Sequence, residues 1–506
     1  MGSGPHGQTW PVSRRNVLKA GLGAALASQL AFFDEIVVKP NRPVLAAGPL
    51  PNIQFDIGSF IAPAQTINGV QVRFGPVFVL FVPLRLNRTP SRADQTTLAN
   101  ALNTIEANYA FSPSGVITHI AYGLPYFNRL PQNIVAGNMP RLLSNNNRFA
   151  LEEAVPSPTD VSSVNPGIRK ATFNVPVRIE NNDVLIMLRS DSTNVTGDVL
   201  AWLQGSNRLN GATVASPAFN GLFTVQTTRL QFTQIGMPRL IASHFSPPYL
   251  DQVNSASPMW MGFTDQQVNA SGPAQIVTFE GNASARFTNA TSASYFANGS
   301  IMHFSHVIED LAQFYSRADD ETYQERVQYM FRSNQLGTVH GVPSEGNSDQ
   351  FSNGGGPATL GNAFQGTDAA LRGARASRGV FQPGNQNLDA TFLGANRIGH
   401  EAALQRSARA ADGTPVHIRM DGPGFDAMDV PGGVNTPKLQ FAAFVPTAEF
   451  FRVMRVNAAA LDLQAQFLGN DEEDNGLERF ITTTRRQNFL VPPRAHRAFP
   501  LRELFA

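Results

Sequence analysis

Three short stretches of this 506-residue chain carry side chains that could do chemistry together. Asp265 follows a turn marked by Gly262, and a carboxylate held there can take up and return a proton. His400 precedes Ala402, Ala403 and Leu404 on an expected helix, and a neutral imidazole is a common protein ligand for iron. Arg419 lies where the turn at 412–415 runs into a short strand, and a guanidinium there can stabilise negative charge developing on an oxygen. Taken singly, each has a plainer reading: a turn-former, a packed or capping histidine, and a surface arginine whose ion pair contributes little. The chain has no cysteine, which rules out disulfides, thiolate metal sites and iron–sulfur clusters. A bound metal must therefore be held by His, carboxylate, Tyr or Met.

In chain order, Gly262 and Asp265, then His400, then Ile418 and Arg419 nineteen residues after that histidine, the pattern resembles the dye-decolourising peroxidase family. Stretches 115–127, 183–191, 439–456 and 487–493 resemble further parts of it, so the likeness covers most of the chain beyond the amino terminus. The resemblance implies an α+β fold of two ferredoxin-like domains with antiparallel sheets, at 47–250 and 251–506. It also implies haem b as cofactor, with His400 on the iron and with Asp265 and Arg419 facing peroxide on the other side. By the same likeness Glu478 accepts a hydrogen bond from the iron-bound imidazole, making it more basic, and Phe444 lines the cofactor pocket. The partners it implies are hydrogen peroxide and a bulky organic reductant, and a homo-oligomer is compatible with it. One departure stands out: Gln266 occupies the place of the family's usual glycine, which narrows the backbone freedom of that turn. Two other readings stay open, an exported haem-handling or iron-releasing protein and a haem-free extracellular binding or structural protein. Glu478 itself could be a solvated acid beside the acidic run 471–474.

The elements that would position these residues can be read from periodicity. The run 77–82 is too short for a helix and rich in β-branched and aromatic residues, which predicts a buried strand. Leu98, Ala101, Leu102, Ile105 and Tyr109 recur at helical spacing over 91–109. Strands follow at 115–123 and 183–189, then a helix through Val199, Leu200 and Leu203. This strand, helix, strand, strand, helix order suggests a ferredoxin-like unit. A similar set begins after Ser257: a mixed apolar stretch at 302–311, a helix at 321–331, a strand at 439–445, a helix from 449, and a short strand at 489–491 stopped by Pro492 and Pro493. The polar, Gly-rich stretch 337–386 reads as a long loop insertion.

Arg14 and Arg15 precede a Gly/Ala-rich apolar run, which looks like a twin-arginine export signal over 1–46, with cleavage expected near Ala46. No later segment reaches the roughly 20 apolar residues that span a bilayer. The net charge of +1 gives no broad field for nucleic acid or an anionic membrane. The only lysines are Lys19, Lys39, Lys170 and Lys438, which reads as codon bias. His303 and His306 have metal-like spacing, but on a strand they would point to opposite faces. Trp260, beside the Asp265 turn, reads as core.

Overall fold

The computed structural model describes residues 24–36, 48–63, 65–67, 70–72, 74–253, 257–262, 273–281, 287–315, 417–459 and 477–505, with positions 255 and 461. Helix α1 (Ala24–Ile36) is followed by the first half: strand β1 (Phe78–Leu86), helix α2 (Arg92–Asn108), strands β2 (Ile117–Gly123) and β3 (Val184–Ser190), helix α3 (Thr193–Leu203) and strand β4 (Arg229–Phe232). The strands lie in the order β4-β1-β3-β2, and each neighbouring pair is antiparallel. Helix α2 begins where the sequence demands it. Ser91 and Asp94 form a reciprocal capping box, which satisfies two amide donors that the first turn leaves open. Its Leu98, Ala101, Leu102 and Ile105 are buried against the sheet, as their spacing predicts.

The second half repeats this arrangement. Strand β5 (Ser300–Glu309), the short β6 (Ile418–Arg419) and β7 (Gly422–Asp426), strand β8 (Thr436–Val445), helix α4 (Ala448–Ala458) and strand β9 (Ile481–Val491) follow in sequence. Their order is β9-β5-β8-β6, with β7 also paired to β8, so both halves share one strand order. The α+β, ferredoxin-like expectation holds. The halves meet where Phe489 and Leu490 of β9 pair with Gly123 and Tyr122 of β2, giving one sheet of eleven strands. Strand β9 corrects the short strand expected at 489–491. It is eleven residues long, because residues 482–488, polar throughout, find partners inside the fold.

Side chains alternate across the strands and so divide two environments. Val79, Phe81, Leu185, Met187, Met302, Phe304, Phe444, Phe489 and Val491 point inward and pack as one cluster between the two half-sheets. Phe81 stacks on Phe304 across that space, with ring centroids 4.3 Å apart. The alternate residues Leu80, Val82 and Leu188 join Leu98, Ile105 and Leu200 beneath the helices of the first half.

Helix α1, from the stretch read as an export signal, packs onto this body. Leu30 and Phe33 are buried, and the Phe33 ring lies 6.0 Å from Phe78 and 5.4 Å from Phe232. Thr193 Oγ1 donates to the Leu30 carbonyl at 2.8 Å, and Gln29 Nε2 donates to that of Phe425 at 3.2 Å. No helix among the described residues is long and apolar enough to cross a membrane. Because Phe33 is only 1% exposed, Phe33→Ala is expected to lower unfolding free energy by about 3–5 kcal/mol. The measurement is the urea midpoint of the full chain; an unchanged midpoint would show that α1 contributes nothing to the core.

Candidate functional site

Strand register fixes where Arg419 points. Asn488 of β9, His303 of β5, Ala443 of β8 and Arg419 of β6 form one row across the second half-sheet. The adjacent row is Phe489, Met302, Phe444 and Ile418, facing the other way. Ile418 and Met420 pack against the inner cluster, so Arg419 lies on the face covered by α4. There Phe451 of α4 stacks on the His303 ring, with centroids 3.2 Å apart and planes within 8°.

A buried polar cluster lies on this face. His303 Nδ1 is 2.8 Å from Asn488 Oδ1, and its Nε2 is 2.5 Å from Ser305 Oγ. Burial, aided by the Arg486 charge, drives the His303 pKa well below its ordinary value, so the ring is neutral. Asn488 Oδ1 only accepts, so Nδ1 carries the proton and Nε2 accepts from the Ser305 hydroxyl. Arg486 Nη1 donates to Ser305 Oγ at 2.9 Å, while its Nε and Nη2 grip Asp160 at 2.7 Å each. Burial pushes the Asp160 carboxyl up, but Arg486 outweighs it and the pKa lies below the ordinary value. Arg455 of α4 donates to both oxygens of Glu478, at 2.8 and 2.7 Å, and to Thr159 Oγ1 at 2.9 Å. Lys170 Nζ donates to the Glu478 carbonyl at 2.6 Å and lies 3.9 Å from its carboxylate.

Three cations thus surround two almost wholly buried carboxylates. Asp160, Thr159 and Lys170 come from the connection between β2 and β3 of the first half, and they reach across to residues of the second. Forming such a pair gains little net energy, because desolvation offsets attraction, yet stranding one partner costs about 3–5 kcal/mol.

The sequence-predicted residues fall as follows. Asp265, Gln266 and His400 lie outside the described residues. Arg419 and Glu478 are on the α4-covered side. Glu478 is 1% exposed, which overturns its reading as a solvated acid; burial raises its carboxyl, but Arg455 and Lys170 bring the pKa below the ordinary value. Phe444 is on the opposite face from Arg419, stacked on Phe55 at 4.2 Å and on His119 at 5.6 Å. The reason is strand alternation, which sets it one residue out of phase with Ala443, the register partner of Arg419. Trp260 is core, with Nε1 donating to the Gly424 carbonyl at 3.0 Å. His303 and His306 do face opposite ways: His306 meets Thr484 Oγ1 at 2.7 Å and Asp426 Oδ2 at 3.4 Å on the inner side. Among the described residues no group of three or more His, Asp or Glu is arranged to hold a metal. Sequence reasoning missed Asp160, Arg455 and Arg486, which carry no motif. The fit to haem is partial. Both nitrogens of His303 are engaged, so it offers no ligand to iron, whereas the Glu478 carboxylate keeps lone-pair capacity for an imidazole N–H beside the two bonds from Arg455.

Glu309 of β5 sits close enough to Asp421, two residues beyond Arg419, to feel its charge. Burial first, then that carboxylate, pushes the Glu309 carboxyl up to about 8 from its ordinary 4.5. Between those values the folded chain keeps a proton that the unfolded chain releases, so stability falls as pH rises. This contribution is fully present below pH 4.5 and gone above about 8. Glu309→Gln is expected to flatten that decline in urea denaturation series at several pH values; an identical slope would sink the assignment.

The model of a family of unknown function, DUF7405, matches residues 76–350 and 376–493. No curated protein matches the chain significantly. Among solved structures, a variant of DypB from Rhodococcus jostii RHA1 in complex with heme is 13% identical, with a TM-score of 0.44, over 84% of this chain and 96% of that one. A dye-decolorizing peroxidase from Bacteroides thetaiotaomicron is 12% identical, with a TM-score of 0.44, over 87% and 98%. The encapsulated DyP-type peroxidase from Mycobacterium smegmatis is 15% identical, with a TM-score of 0.41, over 84% and 95%.

Proposed function

The chain belongs to DUF7405, a family of unknown function, and on the residues it carries we propose that it is a haem-dependent peroxidase that uses hydrogen peroxide to oxidise bulky organic donors. The observation that supports this reading is the common face of Arg419 and Glu478, two residues far apart in sequence that the motif order assigns to one cofactor. In the proposal His400 holds the iron and Glu478 accepts the N–H of that imidazole, keeping it basic. The cofactor, when bound, supplies the iron centre at which peroxide is cleaved. Asp265 moves a proton between the two peroxide oxygens, a role worth roughly 10²–10⁴-fold in rate. Arg419 stabilises the negative charge that develops as the oxygens part.

The test is an absorption spectrum of the full chain, expressed with haem supply, before and after one equivalent of peroxide. A Soret band that shifts with peroxide is expected. His400→Ala should lose the band, and Arg419→Ala should keep it while reacting about 10²-fold more slowly. A band that ignores peroxide would instead favour haem handling or iron release. A second reading, a haem-free extracellular scaffold, is favoured by one observation: the side chains of His303, Arg486 and Glu478 beneath α4 all find partners within the protein. Absence of any Soret band after reconstitution would establish that reading and overturn the first.

We also propose export through the twin-arginine route, supported by Arg14 and Arg15 before the apolar run. Replacing both with lysine is expected to leave the protein in the cytoplasm in cell fractionation; unchanged export would sink the proposal.

A further inference from the structure

Buried guanidinium groups in this protein follow one rule, with one exception. Among the described residues Arg486 pairs with Asp160, Arg229 with Glu180 and Arg497 with Glu106, while Arg502 donates to the carbonyls of Pro90 and Phe505. Arg189 of β3 is only 8% exposed, yet its guanidinium has neither a hydrogen bond nor an ion pair, and its Nε is sealed from water. Burial alone lowers its pKa to about 10, with no carboxylate acting against it. An unpaired buried charge is costly, and a guanidinium held in this way is disposed to take up an anion.

The neighbour of Arg189 shares its condition. In the β2–β3 register Arg189 opposes Ile117 and Met187 opposes His119, so Arg189 and His119 are diagonal neighbours on the inner face. Such neighbours lie roughly 7–8 Å apart or less, a gap that two long polar side chains can bridge through a third group. His119 is 2% exposed, and its Nε2 is buried without a partner. Its ring lies nearly parallel to Phe55 and Phe444. The close approach of Gly75 helps to hold the guanidinium: a β-carbon there would come within 2.8 Å of Arg189 Nη2. Ile57 approaches the same point from the segment that covers this end of the interior.

We propose that Arg189 and His119 form a binding site for a small carboxylate carried on an apolar body. The guanidinium presents a planar fork matched to a carboxylate, and the imidazole supplies a further N–H once an anion is present. Phe55, Met187 and Phe444 make the surroundings apolar, which favours an organic anion over a strongly hydrated inorganic one. The site lies on the inner face of the first half-sheet, whereas Arg419 faces the other way in the second, so it stands apart from the proposed peroxidase chemistry.

Isothermal titration of the full chain with benzoate, and separately with inorganic phosphate, tests this. Benzoate is expected to bind at one site per chain and phosphate to bind more weakly. Arg189→Met, which removes the charged fork and keeps an unbranched apolar stem, should weaken benzoate by about tenfold or more while the unliganded variant melts no lower than the parent. His119→Gln should weaken it by a smaller factor, and it provides the test should Arg189→Met fail to fold. No benzoate binding by the parent chain, tighter binding of phosphate, or unchanged affinity in His119→Gln would each overturn the proposal.

Discussion

The Asp160–Arg486 pair joins parts of the chain that nothing in the sequence connects. Asp160 belongs to a loop of the first half, and Arg486 to the strand that runs through the middle of the whole sheet. With both groups almost wholly buried, neither can lose its partner without leaving a charge in a low-dielectric interior. Arg486 also orients Ser305, which orients His303, on which Phe451 of α4 is stacked. The helix, the sheet face and the crossing loop are therefore held in one arrangement, and the face that carries Arg419 takes its shape from it.

The same logic recurs on the inner side, where Lys438 lies 3.6 Å from Asp426 and Arg485 is held by Asp429. Both lysines among the described residues, Lys170 and Lys438, are buried beside carboxylates. Ion pairs of this kind add little net stability, but they penalise every arrangement that separates the partners. Against that pattern Arg189 stands out, since burial acts on its guanidinium with no carboxylate opposing it among the described residues.

Legibility differed sharply between elements. Helix α2 was readable because burial on one side leaves a local period, and strand β1 because a short run rich in β-branched and aromatic residues suits a strand buried on both faces. Most of β9 was not. Its Thr482, Thr483, Thr484, Arg485 and Arg486 look like surface, and only cross-strand partners make them interior. Glu478 shows the same difficulty: beside an acidic run it looks solvated, and Arg455, reached through the fold, keeps it buried and charged.

The sequence by itself determined the α+β character, the repeated strand and helix order, the absence of thiolate chemistry and the opposite facing of His303 and His306. All of these depend on local period or composition, which a chain carries without folding. Only the tertiary structure decided that Phe444 faces away from Arg419, that Asp160 meets Arg486, and that Arg189 meets no carboxylate among the described residues. Those facts follow from register and from contacts across hundreds of residues, and a shift of one residue in pairing would reverse every one of the facings.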